Sequence, residues 1–523
     1  MQNLKPTIKI DSDKDSPGLR DLFIEYFERY KNNYAINVDG VSYTYGELYR
    51  LASSMAQFIA NQEGEICAIL CSRNIYAYAS ILASLLANKT YLPLSHAYAE
   101  QKNIELLKIA KTRILIVDKS FSSLAEKRVS KTCKDFFILL VDFEEMPNWA
   151  KPHKAVLLLR QSSSICEIYS KKYANPNIYL LFTSGSTGKP KGVLISQHQL
   201  LYYLNNIIKI FNPCESDRFS QVIDLTFDLS AHDIFVCWAS GACLYVFSGN
   251  NAIDLYRYIV ENKITFWLSV PSTAILLLKS RLLKNGCFPY LRCSFFCGEP
   301  LSSNVALNWA SSSNNGIVEN FYGPTEATIA FTHYRFHSES GVVPIGKPFP
   351  GLKIVIMNES FQPVDPGAIG EIYLSGIQVA SGYYRDKKLT RQRFVRIGSE
   401  DVWYRSGDLG TTDALGNVIF KGRKDDQLQI RGYRVETTEL EMLLRRTLET
   451  EEIAITPIVS LDEVVTGYKV FVVDSALKLK DMVARCQKQM SKFLLPSIIL
   501  RLDRLPKMVN GKIDYAKLKK IFI

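Results

Sequence analysis

The fold follows from one stretch of the chain, Leu181-Phe182-Thr183-Ser184-Gly185-Ser186-Thr187-Gly188-Lys189-Pro190-Lys191-Gly192. An apolar, strand-like run enters a loop that holds three glycines, four hydroxyl side chains and two lysines. Glycines let backbone N–H groups approach an anion, hydroxyls donate to its oxygens, and lysines neutralise its charge. The spacing differs from G-x-x-x-x-G-K-[ST], because Pro190 follows Gly188-Lys189. Apolar runs at Tyr179–Phe182 and Val193–Ile195 flank the loop, so we predict a phosphate-binding loop between strands rather than a flexible linker.

Apolar strand-like runs alternate with amphipathic stretches on both sides of this loop. The predicted strands are Glu65–Cys71, Arg113–Val117, Ile178–Phe182 and Thr265–Val270, and the predicted helices are Ala77–Ala87 and Leu255–Glu261. This alternation is typical of an α/β architecture whose sheets are largely parallel.

The pattern changes after Gly351. Strand-like runs at Lys353–Met357, Gly370–Leu374 and Asn417–Phe420 are separated by Pro, Gly and Asp turns, which predicts a β-rich subdomain. Helices over Glu436–Thr447 and Asp481–Leu494, with a strand over Tyr468–Val473, then predict a compact α+β unit. We expect a large domain over residues 1–425 and a small one over 426–523, with the boundary in the charged segment Lys421–Asp426.

Composition bounds the class of protein. The 523 residues are 47% hydrophobic, enough for a sizeable core. No apolar run approaches the roughly 18 residues of a membrane helix, and Met1–Asp11 lacks the apolar region of a signal peptide. The eleven cysteines include no C-x-x-C pair. We therefore expect reduced thiols, a cytoplasmic location and no membrane insertion.

The chain is basic, with a formal net charge of +11. We expect no nucleic-acid partner, because no basic patch is interleaved with aromatic residues in a recognition motif. Part of the excess is local, since Lys478–Ile523 holds twelve Lys or Arg against three Asp. This segment is either a solvated basic face or a docking face for an acidic partner.

Other motifs lie on both sides of the loop. They are Tyr91-Leu92-Pro93-Leu94, Asn320-Phe321-Tyr322-Gly323-Pro324-Thr325-Glu326, Gly370-Glu371-Ile372, Tyr404-Arg405-Ser406-Gly407-Asp408, Gly422-Arg423-Lys424-Asp425 and Asn510-Gly511-Lys512-Ile513-Asp514. Over roughly residues 20 to 520, the chain resembles the adenylate-forming superfamily of acyl-CoA synthetases, luciferases and amino-acid adenylation domains of peptide synthetases. The resemblance implies a large α/β domain, a small mobile C-terminal domain, and an enzyme that uses ATP and Mg²⁺.

The resemblance also implies an ATP site. Its residues are Thr183, Ser184, Gly185, Ser186, Thr187, Gly188, Lys189, Gly298, Glu299, Pro300, Asn320, Phe321, Tyr322, Thr325, Asp408, Arg423 and Lys512. Glu326 is the expected metal ligand, because a carboxylate can hold the Mg²⁺ that bridges phosphate oxygens. Tyr322 offers adenine a flat face, although core packing would also explain this residue, and Asn320 can hydrogen-bond the base. Asp408 can accept from both ribose hydroxyls, with Arg423 as a second ribose contact.

Three residues are expected to be catalytic, namely Lys512, Glu326 and Thr183. Lys512 resembles the family lysine that stabilises charge on the attacking and transferring oxygens, and its Asn-Gly-Lys turn can present it inward. Asp425 matches the family's hinge position, and the resemblance implies that the small domain rotates about it between two states. In such enzymes the second state presents the residue matching Gly432 to the pantetheine arm of a carrier protein, where a glycine leaves room for a thin thioester arm.

The segment Phe227-Asp228-Leu229-Ser230 points to an amino acid as the substrate. In the amino-acid-activating members an Asp here pairs with the α-ammonium, which would be costly to bury alone. By comparison within the family, the pocket residues are Asp228, Leu229, His232, Leu268, Phe295, Cys297, Phe321, Ile329 and Ala330. Apart from Asp228, His232 is the one charged-type side chain in these walls, and a structural histidine and a ligand explain it equally well.

Several strings are most similar to the D-alanine–carrier protein ligases. They are Phe227–Ile234, Trp267–Ser272, Phe295–Glu299 and Tyr322–Ala330. The chain departs from that pattern at Leu94-Ser95-His96, where Asp-Pro usually follows, and at Phe321, where smaller residues are common. Large apolar walls predict a small amino acid, with alanine, in its D-form, as the first choice.

We expect the carrier protein to be a separate chain bearing phosphopantetheine, because no Ser-centred attachment motif follows Lys512. Three alternatives remain open from the sequence. One is an acyl- or aryl-CoA ligase, against which Asp228 argues. Another is adenylation of a larger apolar amino acid for peptide natural product synthesis. The last is a non-catalytic binding module, which would not be expected to retain Glu326, Asp408 and Lys512 together.

Overall fold

The computed structural model describes residues 18–96, 98, 100–129, 136–153, 155–159, 176–184, 189–338, 341–398, 401–424, 427–430, 433–450, 452–459, 465–473, 477–491, 494–508 and 513–521. Its strands are β1 (Tyr34–Val38), β2 (Val41–Thr44), β3 (Ile66–Leu70), β4 (Thr90–Pro93), β5 (Ile114–Val117), β6 (Phe137–Leu140), β7 (Ala155–Leu158), β8 (Asn177–Thr183), β9 (Lys191–Ser196), β10 (Arg218–Gln221), β11 (Cys243–Val246), β12 (Phe266–Ser269), β13 (Cys293–Phe296), β14 (Ile317–Tyr322), β15 (Thr332–Arg335), β16 (Lys347–Pro348), β17 (Lys353–Met357), β18 (Gly370–Ser375), β19 (Phe394–Arg396), β20 (Val402–Thr412), β21 (Val418–Arg423), β22 (Gln427–Ile430), β23 (Tyr433–Glu436), β24 (Ile453–Val459), β25 (Val465–Val472) and β26 (Ile498–Arg501).

The α-helices are α1 (Leu19–Arg29), α2 (Tyr45–Ala60), α3 (Ile75–Leu86), α4 (Glu100–Ala110), α5 (Ser122–Val129), α6 (Gln197–Phe211), α7 (Leu229–Ala239), α8 (Ala252–Glu261), α9 (Pro271–Lys279), α10 (Ser303–Ser311), α11 (Lys387–Arg393), α12 (Thr437–Leu448), α13 (Leu479–Gln489) and α14 (Tyr515–Lys519). Short 3₁₀ turns occupy Lys119–Phe121 and Thr325–Ala327. Within the described residues, no helix is long and apolar enough to cross a membrane.

Two large sheets carry most of the chain before Gly351. One has seven strands in the order β7-β6-β5-β3-β4-β8-β9, parallel except for the antiparallel pair β8 and β9. The other has nine strands in the order β16-β15-β14-β13-β12-β10-β11-β1-β2, with a parallel centre and antiparallel strands at both edges. The parallel strands are covered by helices, so they read as nearly continuous apolar runs in the sequence.

A shared core joins the two large sheets. Helices α2, α3, α6 and α7 contribute to one cluster of buried side chains that also includes strands of both sheets. Local sequence signals fix where two of these helices begin. Thr44 with Glu47, and Ser196 with Gln199, form reciprocal capping boxes at the N-termini of α2 and α6.

The rest of the chain is antiparallel or α+β. Strands β17, β18, β20 and β19 form a sheet in that order, and β21 pairs with β20. After it come the hairpin β22-β23 and the sheet β24-β25-β26, whose buried residues between Ile430 and Leu518 form their own clusters. The predicted α/β class, with parallel-type sheets, a β-rich region and a C-terminal α+β unit, is confirmed.

The predicted elements match the structure with one clear error. The strand predicted over Lys353–Met357 is β17 without change, and the other predicted strands and helices lie within a few residues of their bounds. The helix predicted over Asp481–Leu494 is wrong at its C-terminal end, because α13 ends at Gln489. Met490 adopts extended dihedral angles and is buried, so the chain turns away to let Leu494 pack against the small core.

Candidate active site

A cavity of about 850 Å³ opens at the carboxyl ends of β8, β13 and β14. Ligand sites of open α/β sheets form at this edge, since the loops that leave the strands meet there. The predicted site residues that line the cavity are Thr183, Ser184, Asp228, Leu229, Cys297, Gly298, Glu299, Pro300, Asn320, Phe321, Tyr322, Thr325, Asp408 and Arg423. The elements after residue 427 close its other side, through α12 and the sheet that contains β24 and β25.

The predicted phosphate loop connects β8 to β9, as the sequence indicates. Thr183 ends β8, and its Oγ1 is buried without a hydrogen-bond partner in the described part of the chain. Lys189 is exposed, whereas Lys191 is buried and its Nζ lies 3.6 Å from the Glu436 carboxylate. Among the loop residues that the structure describes, Thr183 therefore has a buried hydroxyl that is available to an anion. Gly185, Ser186, Thr187 and Gly188 lie outside the described residues.

Tyr322, Asp408 and Arg423 form one polar group at the cavity wall. The Tyr322 hydroxyl donates to Asp408 Oδ2 at 2.6 Å, and Arg423 forms an ion pair with Oδ1. Burial raises the pKa of Tyr322 well above its usual value, and the Asp408 charge adds to the effect. Tyr322 is therefore a hydroxyl donor that fixes the carboxylate, while Arg423 balances its charge.

Asn320 and Glu299 have part of their hydrogen-bonding capacity committed. Asn320 Nδ2 donates to the carbonyls of Val343 at 3.1 Å and Pro344 at 2.9 Å. Glu299 Oε2 accepts from the Ser272 backbone N–H at 2.8 Å. Between β13 and Glu299, Gly298 has a φ of 88°, a conformation that favours glycine. The Asn320 amide can therefore serve a ligand in the cavity mainly as an acceptor.

Glu326 is fully buried in the 3₁₀ turn after β14 and does not line the cavity. Its Oε1 accepts from the Tyr383 hydroxyl at 2.7 Å, and its backbone carbonyl accepts from the Ala380 N–H at 2.8 Å. The turn that carries Glu326 is thus fixed at side chain and backbone by the loop after β18.

Asp228 is buried immediately before α7, where its Oδ2 accepts from the Ile329 N–H at 3.2 Å. The pKa of Asp228 is raised to about 7, mainly by burial and also by the charge of Glu326, whereas hydrogen bonds from Ile329, Thr325 and Leu229 oppose the shift. No Lys, Arg or His of the described residues forms an ion pair with this carboxylate. A cation bound at this wall of the cavity would therefore stabilise the ionised Asp228 carboxylate.

Aromatic rings fill the space behind Asp228. The ring centroids of Phe295 and Phe321 are 4.8 Å apart, and His232 lies 5.3 Å from Phe295. His232 Nδ1 and the Tyr203 hydroxyl share a hydrogen bond of 2.6 Å, and burial lowers the pKa of His232 to about 3. His232 is therefore neutral and packed into the wall. It cannot form an ion pair with an acidic side chain of a substrate.

The predicted amino-acid pocket divides into two layers. Asp228, Leu229, Cys297 and Phe321 reach the cavity. The other layer is buried behind them and consists of His232, Leu268, Phe295, Ile329 and Ala330. Three residues singled out from the sequence, Lys512, Asp425 and Gly432, lie outside the described residues.

A family profile described as AMP-binding enzyme matches residues 23–384, well over half of the chain. The chain belongs to this family. It is 27% identical over 512 residues to bacitracin synthase 1 of Bacillus licheniformis, covering 96% of this chain and 9% of that protein. It is 27% identical to gramicidin S synthase 1 of Brevibacillus brevis, covering 96% of this chain and 44% of the relative. The chain spans less than half the length of these curated relatives.

Solved structures agree with this assignment. The Vibrio cholerae adenylation domain AlmE, solved with glycyl-adenosine-5'-phosphate, is 31% identical with a TM-score of 0.86, covering 98% of this chain and 99% of that one. NpsA-ThdA, an artificially fused adenylation–PCP di-domain from Klebsiella oxytoca, is 25% identical with a TM-score of 0.77, covering 93% and 94%. The predicted resemblance of the chain to adenylate-forming proteins, and to peptide-synthetase adenylation domains among them, is confirmed.

Sequence reasoning missed several residues that hold the candidate site in place. Gln378 and Tyr383 donate hydrogen bonds to the turn after β14. Arg73 donates to the carbonyls of Val222 and Ile223, which precede Asp228. None belongs to a motif that carries chemistry. The one available signal was that Gln378 and Tyr383 stand in a Gly-rich loop between two strand-like runs.

Proposed function

We propose that the chain activates an amino acid with ATP as aminoacyl-AMP and then transfers it to the phosphopantetheine thiol of a separate carrier protein. Asp228 carries the proposal, because a buried carboxylate without a cation is costly and the α-ammonium of an amino acid would balance it. The relatives named as peptide synthases and adenylation domains support the same chemistry.

The reaction has two steps. First, a carboxylate oxygen of the amino acid attacks the α-phosphorus of ATP, and pyrophosphate leaves with the electrons of the broken P–O bond. Second, the carrier thiolate attacks the acyl carbon, and AMP leaves. In this proposal Thr183 and Ser184 donate to phosphate oxygens, Tyr322 packs against adenine, and Asp408 binds the ribose.

Magnesium fits the charge of the site. Asp228 and Glu326 are both buried, and the Glu326 charge helps to raise the pKa of Asp228, so negative charge is concentrated there. A carboxylate oxygen is the ligand that Mg²⁺ prefers, with phosphate oxygens and water completing its coordination. Glu326 lies next to the cavity-lining Thr325 and would hold the ion, which would draw charge from the phosphates when bound. Tyr383 keeps the Glu326 carboxylate oriented.

Lys512 is proposed to stabilise charge during adenylate formation, as the resemblance implies. Lys512→Ala should lower amino-acid-dependent pyrophosphate exchange by roughly 10²–10³-fold while sparing thiol transfer from supplied aminoacyl-adenylate. Equal loss in both half-reactions would contradict this role.

The proposed division at Asp425 is tested separately. Asp425→Pro restricts φ at the expected hinge between residues 1–425 and 426–523. If rotation of the small domain separates the half-reactions, this variant should keep one of them largely intact. A variant that loses neither half-reaction would remove the hinge assignment.

The proposed substrate is a small α-amino acid, with alanine, in its D-form, as the first choice and glycine as its nearest competitor. Phe321 occupies the cavity wall, and Phe295 with His232 is packed behind it, which leaves little room beyond Asp228. Close-packed walls do not yield to a larger side chain without strain. The glycyl-adenylate in the AlmE complex supports the small end of the range.

The deciding experiment is pyrophosphate exchange with glycine, both alanines, serine, valine, leucine and phenylalanine. We expect the highest kcat/KM with glycine or an alanine. Cys297→Ala should relax discrimination between L- and D-alanine, because the Cys297 side chain stands at the cavity wall beside Asp228. Highest activity with leucine or phenylalanine would favour the larger-substrate alternative, and exchange driven by carboxylic acids that lack an ammonium would favour a CoA ligase.

A further inference from the structure

The turn that carries Ile329 has an unusual backbone. Thr328 has a φ of 58° and Ile329 a φ of 67°, so two successive β-branched residues adopt the left-handed conformation. Branching at Cβ makes this conformation rare for either residue. Such a turn persists only where the surrounding structure fixes it.

The Gln378 side chain supplies that fixation. It is fully buried, and its Nε2 lies 2.8 Å from the Ala330 carbonyl, 3.2 Å from that of Thr328 and 3.3 Å from that of Ala327. The Thr328 hydroxyl in turn donates to the backbone carbonyl of Gln378 at 2.6 Å. One amide group thus contacts three carbonyls of the turn.

The other end of the same amide is left without a partner. Gln378 Oε1 is buried and makes no hydrogen bond with any described residue. An unsatisfied buried acceptor is destabilising, and an apolar side chain of similar shape would avoid it. The contacts of Gln378 Nε2 with the turn offset the cost of leaving Oε1 unsatisfied.

The turn leads directly to Asp228. Ile329, at its centre, donates its N–H to Asp228 Oδ2 at 3.2 Å. Glu326 is fixed by different groups of the same loop, the Ala380 N–H and the Tyr383 hydroxyl. Gln378 therefore acts on the Asp228 side of the turn, and Tyr383 acts on the Glu326 side.

We propose that Gln378 is a positioning residue for amino-acid binding, which holds the Ala327–Ala330 turn so that Ile329 orients the Asp228 carboxylate toward the substrate ammonium. The inference rests on the proposed function, in which Asp228 binds that ammonium. Gln378 does not line the cavity, so it acts through the turn rather than by contact with the substrate.

Gln378→Met tests this, because methionine keeps the length of the side chain and removes the donor. We expect KM for the amino acid in pyrophosphate exchange to rise about tenfold, with KM for ATP changed by less than about twofold. Tyr383→Phe should show the opposite split and raise KM for MgATP. Thr450→Val is the control for a general loss of stability, because it removes a buried hydroxyl–carbonyl bond of 2.7 Å to Val473, in the small C-terminal core.

Backbone amide exchange gives a readout that does not depend on activity. In Gln378→Met, exchange in peptides that cover residues 323–331 should accelerate about tenfold while other segments keep their protection. Unchanged protection of this turn would overturn the inference, even if the wild type proved inactive toward amino acids and the proposed function failed. With an active wild type, an unchanged KM for the amino acid, or an equal rise in both KM values, would overturn the inference alone. Should Gln378→Met not fold, Gln378→Leu, which also removes the donor, is expected to give the same split.

Discussion

At the residue scale, the proposed binding of the substrate ammonium depends on the ionisation of Asp228. Its pKa is raised to about 7 by burial first and by Glu326 second. A raised pKa keeps this group protonated below pH 7, and the neutral acid does not attract an ammonium. The kcat/KM for the amino acid should therefore fall about tenfold per pH unit below about pH 7 and level off above about pH 8.

The measurement is the pH profile of pyrophosphate exchange from about pH 5.5 to about pH 9. Asp228→Asn should flatten the profile and lower kcat/KM by roughly 10²–10³-fold, because the substrate ammonium then has no counter-charge. A wild-type profile that is flat through this range would contradict the role of Asp228.

Asp233, in α7, is expected to give a different pH effect, one on stability. Burial raises the pKa of Asp233 well above its usual value, and its Oδ2 has no hydrogen-bond partner among the described residues. The folded state therefore binds a proton that the unfolded chain releases near pH 4, and stability falls by up to about 1.4 kcal/mol per pH unit above that point until the folded-state pKa is passed. Asp233→Asn should melt at a higher temperature than the wild type at pH 7 and at a similar temperature near pH 4. Equal melting temperatures at both pH values would show that this carboxyl is balanced in the folded protein.

At the element scale, local patterns predicted where individual strands and helices lie, but not which distant elements they pair with. Alternation and apolar runs identified β3, α3, β5 and α8, because each depends on residues within one window of sequence. The pairing of β1 with β11 joins residues near 36 and 244, and no local pattern encodes that contact. Gln378 escaped prediction for the same reason, since the carbonyls that it binds lie 48 to 51 residues away.

The loops after β4 and β10 meet at a point where the sequence departs from its family. Ser95 stands where Asp is usual, and its hydroxyl donates to Asp224 Oδ2 at 2.6 Å. Asp224 Oδ1 accepts from the Thr226 N–H and hydroxyl, two residues before Asp228. Ser95→Ala removes the donor from a partly buried carboxylate, so we expect about 1–3 kcal/mol of lost stability and a raised KM for the amino acid. Ser122→Ala, which removes the hydroxyl partner of Trp149, is the control away from this loop; a KM that rises equally in both variants would contradict the positional effect.

At the scale of the whole molecule, the site depends on both large sheets. Arg73, in the loop after β3 of the seven-stranded sheet, donates to carbonyls after β10 of the nine-stranded sheet. Motif order predicted many of the residues that line the cavity, because the loop after β8 and the Asn320–Glu326 motif stand at the carboxyl ends of strands. It could not indicate that Glu326 is enclosed or that His232 is neutral, since both follow from packing between distant elements.

The basic C-terminal segment predicts that salt weakens transfer to the carrier protein. Lys478–Ile523 carries twelve Lys or Arg against three Asp, and Lys480, Lys488, Lys517 and Lys520 are exposed. An acidic carrier protein would be steered to this face, and steering weakens as salt screens the charges. Transfer to the carrier should therefore lose at least about tenfold in kcat/KM between roughly 50 and 500 mM salt, while pyrophosphate exchange changes by less than about twofold.

Charge reversal separates steering from a general effect of salt on the enzyme. Lys480→Glu with Lys488→Glu, both on α13, should lower carrier kcat/KM at low salt and reduce its salt dependence. Lys279→Glu with Lys284→Glu makes the same change in net charge at exposed positions in and beside α9, and should leave carrier transfer close to wild type. The α13 variant must still catalyse pyrophosphate exchange normally, because adenylation needs no carrier. The docking role would be contradicted by identical salt profiles for transfer and exchange, or by equal losses in the two charge-reversed proteins. The basic segment would then be a solvated face, because a docking surface depends on where its charges lie.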